Sequence, residues 1–311
     1  MKKIFINLKR FDVDTGRGGI CPMSNPKQWI EWVMDESRKN SIGNIKDMEI
    51  IYLLPESLIL PAIDQLNTYP APDVMNLYIG SQGVYKDDIE EGKNFGAFTT
   101  NLPAAAAANM GCRWSIIGHS EERRDKEDIM NAFMPLEVEG LAAKAGEAVN
   151  RIINSEVKCA LKRDINVLLC IGESAEEKGE GSFEEQKDRI KKVIKKQLEI
   201  CLKDIKGIIK ENEIVIGYEP IWAIGPGKTP PEEAYISFVS SYIKEISKTI
   251  LGYELPVVYG GGLKEENAAM IAGIDSIDGG LVALTKFTAP IAFQPQGLKN
   301  IIHRYVEAKA V

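Results

Sequence analysis

Eight short apolar runs, each closed by turn residues, narrow the possible architectures of this chain more than anything else in it. They fall at Ile4–Ile6, Ile50–Leu54, Leu77–Ile79, Trp114–Ile117, Val167–Ile171, Ile214–Ile216, Val257–Tyr259 and Gly280–Leu284. Several, such as Val167-Leu168-Leu169-Cys170-Ile171, are apolar at consecutive positions instead of alternating. A strand covered on both faces has that pattern, and such strands belong to parallel sheets. Between the runs the sequence predicts helices over Asn25–Lys39, Pro55–Leu66, Pro103–Asn109, Val149–Lys162, Phe183–Lys203, Pro231–Ile250 and Lys264–Ala272. Pro103 near the start of one helix and Gly111 just beyond its end punctuate it cleanly. Strand followed by helix, repeated, points to the α/β class and a (β/α)8 barrel, with a doubly wound sheet as the competing topology. At 311 residues two domains are possible, but no Pro/Gly/Ser-rich linker divides the chain, so one domain over residues 1–311 is the economical reading.

Charge and cysteine content restrict the partners. With 38 basic against 45 acidic side chains and a net charge of −7, the field of the chain repels polyanions, so neither nucleic acid nor an anionic membrane is expected to bind. A small anion held by local donors stays open. The five cysteines, Cys21, Cys112, Cys159, Cys170 and Cys201, form no C-x-x-C pair, which signals neither a disulfide framework nor a zinc knuckle. The opening Met1-Lys2-Lys3-Ile4-Phe5-Ile6-Asn7 breaks before an apolar stretch reaches signal-peptide length, and no run approaches the ~18 residues of a membrane span. A cytoplasmic location is the expectation.

In such a barrel the reacting groups stand at the carboxyl ends of the strands. Asn7 and Lys9 follow the first run, Gly118-His119-Ser120-Glu121 the fourth, Tyr218-Glu219-Pro220 the sixth and Gly260-Gly261-Gly262 the seventh. A cation, an imidazole, a carboxylate and a glycine-rich anion loop thus meet at one mouth. With His303 in a terminal helix-like stretch, imidazole chemistry falls on His119, which could equally be a structural histidine. Glu219, next to an apolar run and Pro220, is placed to be desolvated and tuned as a general base, or else to cap or pair. Glycines at Gly225, Gly227 and Gly260–Gly262 let backbone N–H groups approach an oxyanion, or merely make turns. Pro220–Thr229 has stiff ends around a small apolar middle, a composition suited to a lid that excludes water.

Taken together these residues resemble the triosephosphate isomerase family. Tyr218-Glu219-Pro220-Ile221-Trp222-Ala223-Ile224-Gly225-Pro226-Gly227-Lys228-Thr229 is similar to the family's catalytic glutamate and closing loop, and this motif is highly specific. Ile116–Glu121 with Arg123-Arg124 resembles its histidine motif, and Asn7-Leu8-Lys9 its Asn-Trp-Lys. Gly96-Ala97-Phe98-Thr99 is similar to the loop that inserts into a partner subunit, and Cys170-Ile171-Gly172-Glu173 and Tyr259-Gly260-Gly261 follow in order. The resemblance covers nearly the whole chain and implies a single TIM barrel acting as an aldose–ketose isomerase on triose phosphates, with no metal or organic cofactor. It implies Glu219 as the proton-moving base, His119 as the neutral electrophile and Lys9 as the charge-balancing cation, a division of labour for which this family is the standard example. Asn7 would position Lys9, Glu121 would support the site, Gly225 would close over a phosphate, and Gly260, Gly261, Gly262, Ala283 and Leu284 would line its pocket. A small phosphorylated sugar is the implied substrate and a homodimer the implied assembly.

The chain departs from the family at the phosphate end. Gly262 stands where the family has serine, and Ala283-Leu284 where it has two glycines. Pro230 lies where a closed lid would use a backbone N–H, and Thr100-Asn101 replaces Gly-Glu in the docking loop. Insertions are expected near 12–23, where the segment could overhang the mouth, near 125–144 and near 288–297. These departures keep two alternatives in view: the same chemistry on a longer sugar phosphate such as a tetrulose phosphate, and a non-catalytic barrel that binds a sugar phosphate.

Overall fold

The apolar runs fold as strands β1 (Lys2–Asn7), β2 (Met48–Leu54), β3 (Leu77–Ser81), β4 (Trp114–Ile117), β5 (Asn166–Ile171), β6 (Ile214–Tyr218), β7 (Val257–Tyr259) and β8 (Gly279–Val282). In the computed structural model, which describes residues 1–133, 141–225 and 227–308, they close in chain order into a parallel barrel. Lys3 to Ile6 of β1 pair with Gly279 to Val282 of β8, which completes the ring. Around it lie α1 (Pro26–Lys39), α2 (Glu56–Asn67), α3 (Ala71–Val74), α4 (Ala104–Met110), α5 (Ser120–Phe133), α6 (Leu141–Lys162), α7 (Ala175–Lys178), α8 (Phe183–Cys201), α9 (Glu233–Leu251), α10 (Ala268–Gly273) and α11 (Pro295–Glu307). The α/β reading as a (β/α)8 TIM barrel is what the chain adopts.

Two cores explain why the strands are apolar at consecutive positions. Phe5, Leu53, Trp114, Leu168, Val215 and Val258 belong to the cluster inside the barrel, whereas Ile4, Ile6, Tyr52, Leu169 and Ile216 pack outward under the helices. Successive residues therefore leave water on opposite faces, as the two-residue period of a strand requires. Phe5 and Trp114 meet edge to face at 5.1 Å and fill the middle of the barrel. Gly172 is required by close approach: a Cβ there would lie 1.7 Å from the Glu219 carbonyl oxygen.

Several expected boundaries are corrected. The eighth strand ends at Val282, so Ala283 and Leu284 lie beyond it as half-buried loop residues. The helix expected from Lys264 begins at Ala268, because Asn267 Oδ1 accepts the Lys264 N–H (2.8 Å) and its Nδ2 donates to the Gly262 carbonyl (3.0 Å), holding a turn instead. The expected insertion at 12–23 is a loop closed between Thr15 and Cys21 (N–H to O, 3.0 Å), and Ser57 Oγ donates to Asp12 (2.7 Å), pinning it to the start of α2. Of the insertion expected at 125–144, residues 125–133 continue α5 and residues from 141 open α6; residues 134–140 lie outside the described residues. That expected at 288–297 is corrected too: its final residues, 295–297, are the first turn of α11. The segment before them folds back on itself through a Lys286–Ala292 bridge, with Thr285 Oγ1 accepting the Gln294 N–H (2.7 Å).

Candidate active site

Five strand ends supply the mouth. Asn7 ends β1 and is buried, and its Oδ1 accepts the Lys9 N–H at 2.9 Å. Lys9 itself sits at φ 40°, the left-handed region that costs a side-chain-bearing residue of order 1–2 kcal/mol. A residue absent from the expected set holds it there. Gln82, just after β3, donates through Nε2 to Asn7 Oδ1 (3.1 Å), the Lys9 carbonyl (2.9 Å) and the Leu53 carbonyl (3.3 Å), so its amide hydrogens are shared among three acceptors. Lys9 Nζ is thereby directed to the Glu121 carboxylate, with which it pairs. Burial raises the Glu121 carboxyl, but the Lys9 hydrogen bond and the charge of Lys9, with smaller contributions from His119 and Arg124 nearby, outweigh it and hold the group below its ordinary value. Gln82→Ala is expected to loosen this corner and lower kcat/KM by about tenfold, equivalent to ~1.4 kcal/mol, which steady-state kinetics would read directly.

His119 occupies the position just before α5, where an N-cap residue accepts a backbone N–H from the first turn. The Glu121 N–H points to His119 Nδ1 at 3.3 Å, so Nδ1 is an acceptor and the ring's single proton lies on Nε2. Nε2 is 3.2 Å from Glu219 Oε1. Glu219 follows β6, is 2% exposed, and accepts the Ser120 N–H on Oε2 at 2.9 Å. Desolvation raises its carboxyl above the ordinary value, against the lowering pull of His119, the Ser120 N–H, Arg123 and Lys9. A buried carboxylate, an Nε2–H imidazole and an ammonium thus share one mouth, a set able to move a proton between carbons beside a polarised oxygen.

The peptide that carries His119 is clamped. Gly118 has φ +78°, and a Cβ there would meet the Cys170 carbonyl oxygen at 2.9 Å, so glycine alone fits. Buried Arg123 donates to the Gly118 carbonyl (2.7 Å), Asn150 Oδ1 (2.7 Å) and the Cys170 carbonyl (2.9 Å), tying the turn to β5 and α6. On the far side Glu173 is wholly buried, and its Oε1 accepts from Tyr218 (3.0 Å), Trp222 (2.8 Å) and Tyr235 (2.7 Å). Trp222 belongs to the segment read as a lid, so Glu173 anchors the lid's root. Gly225 in that segment is exposed, and a Cβ on it would meet nothing within 4 Å; Pro226 lies outside the described residues.

The glycine run after β7 serves two purposes. The Gly260 N–H donates to the Tyr218 carbonyl (2.7 Å), and a Cβ on Gly260 would come within 2.8 Å of Glu219 Cγ. Gly260 therefore makes room for the carboxylate and does not offer its N–H to an anion, a correction to the expectation for that residue. Any N–H cradle in this run falls to Gly261 and Gly262.

The sequence matches the family description triosephosphate isomerase over residues 33–291. The chain belongs to the triosephosphate isomerase family. It is therefore an isomerase of the intramolecular oxidoreductase class. The triosephosphate isomerase of Chloroherpeton thalassium is 33% identical over 190 residues, 60% of this chain and 64% of that protein, just under two thirds of its length. The triosephosphate isomerase of Alkalilimnicola ehrlichii is 32% identical over 236 residues, 74% of this chain and 77% of the relative. A crystal structure of triosephosphate isomerase from Bartonella henselae superposes with a TM-score of 0.65 at 22% identity, covering 98% of this chain and 99% of the other, which supports the fold. Asn7 and Lys9 precede the span matched to the triosephosphate isomerase family, so their place in the site rests on geometry. Gln82 carries one available signal, being the first polar residue with two donors after the third apolar run.

Proposed function

We propose that the chain interconverts dihydroxyacetone phosphate and D-glyceraldehyde 3-phosphate by proton transfer through an enediolate. The observation that carries this reading is the desolvated Glu219 carboxylate 3.2 Å from the Nε2 of His119 at the mouth that also holds Lys9. Glu219 takes the proton from the carbon beside the carbonyl and returns it to the neighbouring carbon. The His119 Nε2–H donates to the substrate oxygen as charge develops there, and the Lys9 ammonium balances both enediolate and phosphate. The Ser120 N–H holds Glu219 Oε2 at 2.9 Å, so catalysis requires that bond to be exchanged for the substrate as the lid closes. Gln82 and Asn7 support Lys9, and the Gly225 and Gly261–Gly262 backbone faces the phosphate.

The same proton transfer on a longer sugar phosphate is a second reading, favoured by the end of β8. Barrels commonly bind phosphate at a short extra helix after strand eight. Here Ala283 and Leu284 lead instead into the folded-back segment 285–294, which presents side chains. Initial rates on triose, tetrose and tetrulose phosphates, with wild type and Glu219→Gln in parallel, separate the readings. Triose phosphate turnover lost in the variant supports the first; turnover confined to four-carbon substrates supports the second. Silence on the whole panel overturns both and leaves a binding barrel. A homodimer, implied by Gly96–Thr99, belongs to the same proposal, and sedimentation giving the mass of one chain would remove it.

A further inference from the structure

A mostly buried group of three charges lies behind the His119 turn, outside the reacting set. Glu122, on the first turn of α5, reaches back so that its Oε2 accepts the Gly118 N–H at 2.7 Å. Its Oε1 pairs with Lys126 one turn along the helix. Lys126 Nζ in turn lies 3.1 Å from Oε1 of Glu156 on α6. An ordinary i,i+4 pair on a helix surface is well exposed and contributes little. Here the side chains are only 22% (Glu122), 18% (Lys126) and 6% (Glu156) exposed. Glu156 Oε2 receives no hydrogen bond from any donor among the described residues.

We propose that Glu122 is a positioning residue for His119, holding through the Gly118 N–H the peptide that aims the imidazole at Glu219, with Lys126 and Glu156 fixing its carboxylate. The Gly118 peptide is gripped from both ends: Glu122 takes its N–H and Arg123 donates to its carbonyl. One residue further on, the His119 ring is oriented by the Glu121 N–H. Without Glu122 the Gly118 N–H would lose its acceptor in a partly buried turn, and the turn would relax toward whatever satisfies it. Small displacements of a reacting group are enough to cost a large part of a rate.

The two carboxyls behave as a pair that shares one proton. Burial raises the Glu156 carboxyl to about 9, with Glu122 adding to the rise and Lys126 opposing it. Glu122 is also raised by burial, but hydrogen bonding from Glu156 and Lys126 and the Gly118 N–H bring it below its ordinary value. Between the two carboxyl titrations the group is therefore one carboxylate, one ammonium and one neutral acid, and it carries no net charge. Two thiols raised by burial also feel the Glu156 charge, Cys159 on its own helix and Cys201 from α8, and Arg123 on α5 stands beside Cys201. Loss of the last carboxyl proton places two carboxylates on one lysine, which draws Lys126 away from Glu122 and frees the turn.

The inference rests on the proposed role of His119, so its test includes a readout that needs no turnover. His119 and His303 are the only histidines, which makes the ring nitrogen NMR signals of the full-length protein separable, with His303 as internal control. Glu122→Ala is expected to lower kcat by roughly 10- to 100-fold with KM nearly unchanged, and to shift the His119 ring signals while those of His303 stay in place. Glu122→Gln, which keeps an acceptor oxygen, is expected to recover most of kcat and the signals. Glu156→Gln is expected to move the alkaline limb of kcat to higher pH. Unchanged His119 signals in a folded Glu122→Ala protein would overturn the proposal, as would a loss of kcat that tracks a fall in melting temperature and is not recovered by glutamine. If no sugar phosphate is turned over by the wild type, the function reading fails separately while the NMR comparison still decides this one.

Discussion

Glu219→Gln is expected to lower kcat by about 10⁴-fold while leaving KM almost unchanged, the pattern of a lost proton-transfer group in an otherwise intact pocket. Glutamine fills nearly the same volume and keeps an oxygen for the Ser120 N–H, while its amide nitrogen replaces the oxygen that faces His119 Nε2, so the loss reports the carboxylate both as base and as partner of His119. The same substitution is expected to stabilise the fold at neutral pH, and the sign follows from the shift. Burial raises the Glu219 carboxyl, so the folded chain holds that proton more tightly than the unfolded chain does. The stability tied to the group is complete below the unfolded value and is lost as pH rises through the folded one, leaving a desolvated carboxylate in the native state. Glutamine has nothing to ionise. Melting curves should therefore place Glu219→Gln above wild type at pH 8, with the gap closing toward acid. In wild type the acid limb of kcat/KM should lie above the ~4.3 of a free glutamate. An active Glu219→Gln protein, or one that melts lower than wild type at pH 8, would contradict the assignment.

The parts of the molecule that could be read from residues alone are those where one physical demand dominates. Val167–Ile171 had to be a strand buried on both faces, because no other short element explains five consecutive apolar residues, and β5 occupies Asn166–Ile171. Lys9, His119 and Glu219 were visible because each follows such a run, and the structure brings His119 to both Glu219 and the Glu121 that pairs with Lys9. What stayed hidden depends on partners distant in sequence. Helix α5 reads as a charged stretch, Ser120–Phe133, whose one buried residue is Arg123, so hydrophobic periodicity has nothing to detect. Gln82 earns its place only by the meeting of β1, β2 and β3, and Glu156 only by the packing of α6 on α5. Gly260 looked like an anion donor because composition cannot reveal that its N–H already belongs to the Tyr218 carbonyl. The end of β8 moved from Leu284 to Val282 for a similar reason, since an apolar residue continues a run on paper whether or not a neighbouring strand is there to pair with it.

Lys9→Met is expected to lower kcat/KM by roughly 10²–10³-fold, as loss of one preorganised charge at a developing oxyanion does. Its stability effect should be small, because the Lys9–Glu121 pair is at the rim, with the glutamate side chain 62% exposed. The left-handed backbone at Lys9 allows charge and strain to be separated. With φ at 40°, the position holds a side chain in a conformation that glycine adopts freely, and Asn7 and Gln82 supply the hydrogen bonds that keep it there. Lys9→Gly is therefore expected to be as inactive as Lys9→Met yet more stable than it by about 1 kcal/mol in denaturant unfolding. That difference would identify Lys9 as a residue kept in a strained backbone because its ammonium must face the substrate, which is where activity and stability pull apart. Equal stabilities of the two variants would mean the turn carries no strain, and the hydrogen bonds from Gln82 would then serve packing alone. Activity retained by Lys9→Met would remove the cation from the mechanism and leave His119 and Glu219 to handle the enediolate without it.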